Sequence, residues 1–231
     1  MKAVRYHSYG DSGVLVYEDA DRPVAGAGQV VVKVAGSAFN PVDVAIRAGF
    51  MQQVFPVAFP HIPNFDVSGV VAEVGEGVSG WSAGDAVVAF LPMTAPGAAA
   101  EYVGVPAGLL AAAPRTVELA DAAALPSASL TASQALFEHA DVKPGTSVLI
   151  NGAGGAVGGY AVQLAKQAGA SVVATASTSS AGRGPRLRGG PDHRLHRHPA
   201  PAGGGRAAVR RGAQPGAHQP GRDRRPGGPG R

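Results

Sequence analysis

The chain has no cysteine. Disulfides and thiolate-bound metals are therefore excluded, and the redox compartment stays undetermined at this level. Also missing is any run of about eighteen apolar residues, the length needed to cross a bilayer. The opening Met1-Lys-Ala-Val-Arg-Tyr6 lacks the apolar core of a signal peptide. A soluble, cytoplasmic protein without a membrane partner is the expectation. Lysine and aromatics are absent from residues 181–231, which hold 12 Arg and 2 Asp. Residues 1–180 hold 8 Lys and Arg against 14 Asp and Glu, so the formal charge of +4 averages an acidic body and a strongly basic tail. At 231 residues the chain has room for one large or two small domains with a real core.

What is present is organised around Thr146-Ser-Val-Leu-Ile-Asn-Gly-Ala-Gly-Gly-Ala-Val-Gly158 and the stretch that follows it to Ala170. A short β-branched run, a glycine cluster and an apolar helical face (Val157, Ala161, Leu164, Ala165, Ala168) read as strand, phosphate-binding turn and helix. Glycines at 152, 155 and 158 let the chain turn tightly, bring backbone N–H groups to a pyrophosphate and pack the helix close to the strand. The grip would comprise Gly152, Ala153, Gly155, Ala156, Val157 and Gly158. The spacing departs from G-x-G-x-x-G, and a plain glycine-rich loop is the competing reading. No Gly-Lys-Ser/Thr follows, which excludes a P-loop.

Upstream, residues 1–20 suggest two short strands and Gly28–Gly36 a longer one, with Val30, Val32 and Val34 on one face. Pro41 suits the first turn of a short helix capped by Asn40, which makes Asp43 an exposed helix charge on local evidence. From Pro60 to Phe90 the pattern is all-β, with segments at Val67–Gly75, Val78–Trp81 and Gly84–Phe90; Gly97–Pro106 adds a strand in which Tyr102 packs. Leu119–Glu138 has helical periodicity. The expected class is α/β plus all-β, with a barrel-like domain over 1–120, the first part of a doubly wound nucleotide domain over 121–180, and a tail over 181–231.

Seven stretches in order, Phe39–Asp43, Asp66–Val78, Gly84–Val87, Ala100–Val103, Ala122–Pro126, Leu130–Ala132 and Val148–Ala170, resemble the medium-chain dehydrogenase/reductase superfamily. They are most similar to its zinc-independent quinone oxidoreductase branch, over Met1 to about Ser177. The resemblance implies a GroES-like barrel followed by a Rossmann domain. Where zinc-using members carry a cysteine and a histidine before the Asp equivalent to Asp43, this chain has Asn40 and Pro41. Their Gly-His-Glu is matched by Asn64-Phe65-Asp66, so no catalytic zinc is expected. Hydride transfer to a quinone or an α,β-unsaturated carbonyl is then implied, since such acceptors are already electrophilic. Asn40 and Asp43 become the candidate catalytic residues, with Asn40 beside the nicotinamide and Thr131 also at the cofactor. A helix threonine packing its methyl is the alternative for Thr131. At the end of the second nucleotide-domain strand, Ala174, Thr175, Ala176 and Ser177 leave no carboxylate to repel a 2′-phosphate. NADPH is therefore the expected cofactor, with Ser177 in contact. Homodimers are common in the resembling family.

The tail breaks the pattern. With 13 Gly and 8 Pro in residues 181–231 and almost no large apolar residues, it cannot offset ordering entropy and is expected to be disordered. A nucleic-acid-binding basic arm, a metal site at His193, His196 and His198, and a shifted reading frame of a GC-rich gene are the competing explanations. Displacing the frame by one nucleotide rereads Gly189–His198 as Ala-Asp-Gln-Ile-Ile-Asp-Tyr-Thr-Ala-Thr and Val209–Pro215 as Phe-Asp-Val-Val-Leu-Asn-Leu. Both resemble dehydrogenase segments, which favours the frameshift. Such a defect would leave sheet edges unpaired beside Val148–Asn151 and Val172–Ala176, with feeble turnover and aggregation. Sequencing the DNA between the codons for Ala176 and Arg188 is expected to reveal an inserted or deleted nucleotide. A frame open on both sides without an indel refutes this.

Overall fold

The computed structural model describes residues 1–180 and the backbone of Leu195–Arg197 and Val209–Arg211. The expectations of a disordered tail, a tail metal site and a nucleic-acid arm otherwise lie outside the described residues. The chain divides into two compact units, Met1–Thr131 and Ala132–Arg231. The 3₁₀ turn Asp121–Ala124 lies against the strands of the first unit.

In the first unit, β1 (Lys2–Arg5) and β2 (Val16–Asp19) form an antiparallel hairpin. The main sheet consists of β3 (Gln29–Ala38), β4 (Asp66–Val74), β5 (Ala86–Phe90), β6 (Tyr102–Pro106) and β7 (Leu110–Ala112), in the order β6-β3-β4-β5-β7 with every pairing antiparallel. Valines at alternate positions of β3 put Val30 and Val32 into one core with Ile46, Phe65, Val67, Val71, Val87 and Val105, and Val34 packs at its margin. Val31 on the opposite face is equally buried, whereas Lys33 and Ala35 on that face are exposed, so the second face is covered only near Val31. Two elements differ from the sequence expectation. Val78–Trp81 is not a strand, since Gly77, Gly80 and Gly84 all adopt positive φ and turn the chain repeatedly. β7, short and alanine-rich, carries no pattern that marks it. The expected helix at 41 is α1 (Pro41–Arg47), and the helical region downstream is the 3₁₀ turn, α2 (Pro126–Ser133) and a π-helical turn at Gln134–His139.

The second unit is built on β8 (Ser147–Ile150), α3 (Ala156–Gln167) and β9 (Ser171–Ala176), with β8 and β9 parallel as a β-α-β crossover requires. Ala161, Val162 and Ala165 of α3 pack with Val148, Ile150, Val172 and Ala174, and Ala132 and Leu136 join them. The sheet continues on both sides: β10 (Leu195–Arg197) runs parallel beside β9, and β11 (Val209–Arg211) antiparallel beside β8. The unpaired edges expected from the sequence are therefore corrected in part: β10 pairs with Ala174–Ala176 of β9 and β11 with Val148–Ile150 of β8.

One buried group makes the first unit acid-sensitive. Tyr6 and His61 exchange backbone hydrogen bonds of 3.0 and 2.9 Å, and their rings meet edge to face. Burial pushes the Tyr6 hydroxyl up to about 12 and the His61 imidazole down to about 4. His61 is 3 % exposed and its Nε2 has no hydrogen-bond partner. Since the folded value lies below the ordinary histidine value, the unfolded chain takes up the proton first as pH falls. Stability is then lost between about pH 6.5 and 4, by roughly 3 kcal/mol. Urea unfolding of wild type and His61→Leu at pH 7 and pH 4 is expected to show the extra acid loss in wild type alone; equal losses would refute this account.

Candidate functional site

The two clusters of chemistry-bearing residues lie in different units. In the first, Asn40 precedes α1 in an extended conformation and Pro41 opens the helix. The reciprocal part of the cap is made by Asp43, whose Oδ2 accepts the Asn40 backbone N–H at 2.7 Å. Asp43 Oδ1 accepts the Asn64 N–H at 2.9 Å, and Asn64 holds a left-handed φ of 73°. Asp43 is thus buried at 3 % exposure and is not the exposed helix charge that its helix position suggests. Burial raises its pKa above the usual carboxylate value, against the lowering effect of the two backbone donors, and Asp66 nearby adds to the rise.

The Asn40 side chain faces the Asp43 backbone in this capping box and also reaches β4. Its Nδ2 donates to Asp66 Oδ2 at 2.8 Å. In this orientation the amide NH2, a donor, meets the Asp66 oxygen. Asp66, 1 % exposed at the start of β4, also receives the Ser127 backbone N–H on Oδ1 at 2.7 Å and the Ser127 hydroxyl on Oδ2 at 2.6 Å. Asn40 Oδ1 lies 3.3 Å from the same hydroxyl. One N–H and an acceptor lone pair of Asn40 remain for a ligand. Asp66, Ser127 and Asn64 were not singled out as site residues; a carboxylate opening an otherwise apolar strand was the available signal. Thr131 Oγ1 donates to the Ser127 carbonyl one turn back at 2.7 Å, leaving only its oxygen lone pairs for another group. Phe65 is 1 % exposed in the core, with its ring edge-on to Phe90 at 6.5 Å. Among the described residues no group of three or more His, Asp or Glu is placed to hold a metal ion.

In the second unit Gly152 leaves β8 with φ +80° and Gly155 forms the N-cap of α3. The turn is tied to β9 through one residue. The Gly152 N–H donates to Thr175 Oγ1 at 3.1 Å, the Thr175 hydroxyl donates to Asn151 Oδ1, and the Ala153 N–H donates to the Thr175 carbonyl at 2.8 Å. The Gly155 N–H bonds the Gly152 carbonyl at 3.1 Å. A Cβ on Gly158 would lie 2.3 Å from the Gly152 carbonyl oxygen, so no other residue fits there. The amides of Ala156, Val157 and Gly158 belong to the first turn of α3 and have no acceptor within the helix, at the positive end of its dipole. These features suit a pyrophosphate: a turn whose one side chain, the Ala153 methyl, is buried, helix-end amides without intrahelical acceptors, and close helix packing. At the end of β9 the Ser177 hydroxyl lies 3.0 Å from that of Ser179 and 2.7 Å from that of Ser180.

Residues 26–115 match the alcohol dehydrogenase GroES-like domain. The chain is 42 % identical over 181 residues to a chloroplast envelope quinone oxidoreductase homolog of Arabidopsis thaliana, covering 76 % of this chain and 55 % of the relative. It is likewise 42 % identical over 189 residues to the chloroplastic NADPH-dependent alkenal/one oxidoreductase of the same plant, covering 77 % and 48 %. Among solved structures, a mycobacterial protein in complex with NADPH superposes with a TM-score of 0.75 at 29 % identity, over 88 % of this chain and 60 % of the other. The chain thus spans about half the length of the curated relatives it matches.

The hydrogen bonds rank the residues of the first unit. Replacing Asp66 by alanine strands three donors and is expected to cost about 3 kcal/mol or more, and Asp43→Ala, which strands two backbone amides, about 2–3 kcal/mol. Thr131→Val is expected to cost under about 1 kcal/mol, because its bond is a single exposed one. Chemical denaturation of the three variants checks this order; a Thr131→Val loss matching Asp66→Ala would refute it.

Proposed function

We propose that the chain, which resembles the medium-chain dehydrogenase/reductase superfamily and its quinone oxidoreductases, is a zinc-independent oxidoreductase using NADPH. Its acceptors would be quinones or α,β-unsaturated carbonyls, in keeping with the names of its relatives, a quinone oxidoreductase homolog and an alkenal/one oxidoreductase. The observation that carries the reading is the turn from Gly152 to Gly158, where a Cβ at 158 would strike the Gly152 carbonyl. Gly152, Ala153, Gly155, Ala156, Val157 and Gly158 would hold the pyrophosphate, through the first-turn amides of α3. Ser177, with Ser179 and Ser180 beside it, would face the 2′-phosphate as hydroxyl donors in a place where a carboxylate would repel it. Bound NADPH supplies the hydride.

The protein side of the chemistry is positioning. Asn40, held by Asp66 and Ser127, would offer its remaining N–H to a nicotinamide carboxamide or to the oxygen on which charge develops. Asp43, each of whose carboxyl oxygens accepts one backbone amide, would act by fixing the start of α1 and hence Asn40. Zinc independence is supported by Phe65, which packs in the core at the place of a zinc-binding histidine.

A second reading, a cofactor-binding module without turnover, is favoured by the same polar network, since both ends of the Asn40 amide already have partners. NADPH titration with and without a quinone separates the two. Oxidation at about 1–10³ per second supports the enzyme, whereas binding without oxidation supports the module. Ser177→Asp is expected to weaken NADPH at least tenfold and to leave NADH within about threefold. An equal loss for both cofactors would refute the assignment of Ser177.

A further inference from the structure

We propose that Thr175 is a positioning residue for the cofactor turn, with its side-chain hydroxyl holding Gly152 and Asn151 so that the first turn of α3 alone faces the anion. The inference rests on the cofactor reading above. Of the amides in the turn, those of Gly152, Ala153 and Gly155 are spent inside the protein, two of them on Thr175. The amides of Ala156, Val157 and Gly158, which α3 leaves without intrahelical acceptors, are the donors that remain.

The hydroxyl acts in two directions at once. It donates to the Asn151 side-chain oxygen, which points its lone pair at the Gly152 N–H. Gly152 needs such a restraint because it sits at φ +80°, in a region that glycine enters and leaves at little cost. The neighbouring residue is held differently, since the Ala153 N–H bonds to the Thr175 main-chain carbonyl, which any residue at 175 would supply. A glycine-rich turn already in its bound shape loses less freedom when the ligand arrives. Thr175 therefore stays away from the 2′-phosphate and serves the pyrophosphate end from behind.

The side-chain and main-chain bonds can be tested apart in the full chain. Thr175→Val keeps the shape and removes the hydroxyl; Thr175→Ser keeps the hydroxyl. Amide exchange by NMR is expected to show Gly152 exchanging at least tenfold faster in Thr175→Val, with Ala153 still protected and both amides close to wild type in Thr175→Ser. NADPH titration is expected to show about five- to tenfold weaker binding to Thr175→Val and binding within about twofold of wild type for Thr175→Ser. Unchanged Gly152 exchange in Thr175→Val overturns the restraint. Faster exchange with undiminished affinity overturns the positioning role, as does a loss in Thr175→Ser equal to that in Thr175→Val. Failure of wild type to bind NADPH while Gly152 responds to the hydroxyl strikes instead at the cofactor reading.

Discussion

The Asp66 carboxylate is the constraint on which the polar part of the first unit depends. It is buried at the first residue of β4 and receives donors from Asn40 before α1 and from the backbone and hydroxyl of Ser127 in α2. A buried carboxyl group with that many donors stays in place because any loss leaves an unpaired group in a poorly solvated interior. Three segments remote in sequence thereby meet at one point. Asp43 extends the arrangement by binding the backbone of Asn40 and Asn64, so the start of α1 and the approach to β4 are fixed together.

The second unit relies on a different device, the absence of side chains. Gly158 lets α3 approach the Gly152 carbonyl more closely than any Cβ allows. Hydrogen bonds to Thr175 compensate for the freedom that such a glycine-rich turn would otherwise keep. Rigid placement and an uncluttered surface are both needed if backbone amides are to meet a charged ligand, and here they come from neighbouring strands of one crossover.

What could be read from residues alone follows from how local the information is. The β8-α3-β9 unit was legible because the glycine spacing and the apolar face of α3 lie within one continuous stretch, and Ala161 and Ala165 do pack inward. β3 was legible for the same reason. The Asp66 network was not, since its partners stand 26 and 61 residues away and nothing local marks them. Asp43 was misjudged from its helix position because a carboxylate in the first turn can fold back onto the chain before the helix. Val78–Trp81 has strand-like composition, but glycines at positive φ override it.

The packing of Phe65 limits what position 65 can hold. In the zinc-using members that this chain resembles, the corresponding place holds a metal-binding histidine, whereas here the ring is 1 % exposed and wedged against Phe90. A histidine at position 65 would trade a core aromatic for an imidazole among apolar neighbours. Hydrophobic packing thus holds position 65 to an apolar side chain, whatever the chemistry of the residues around it.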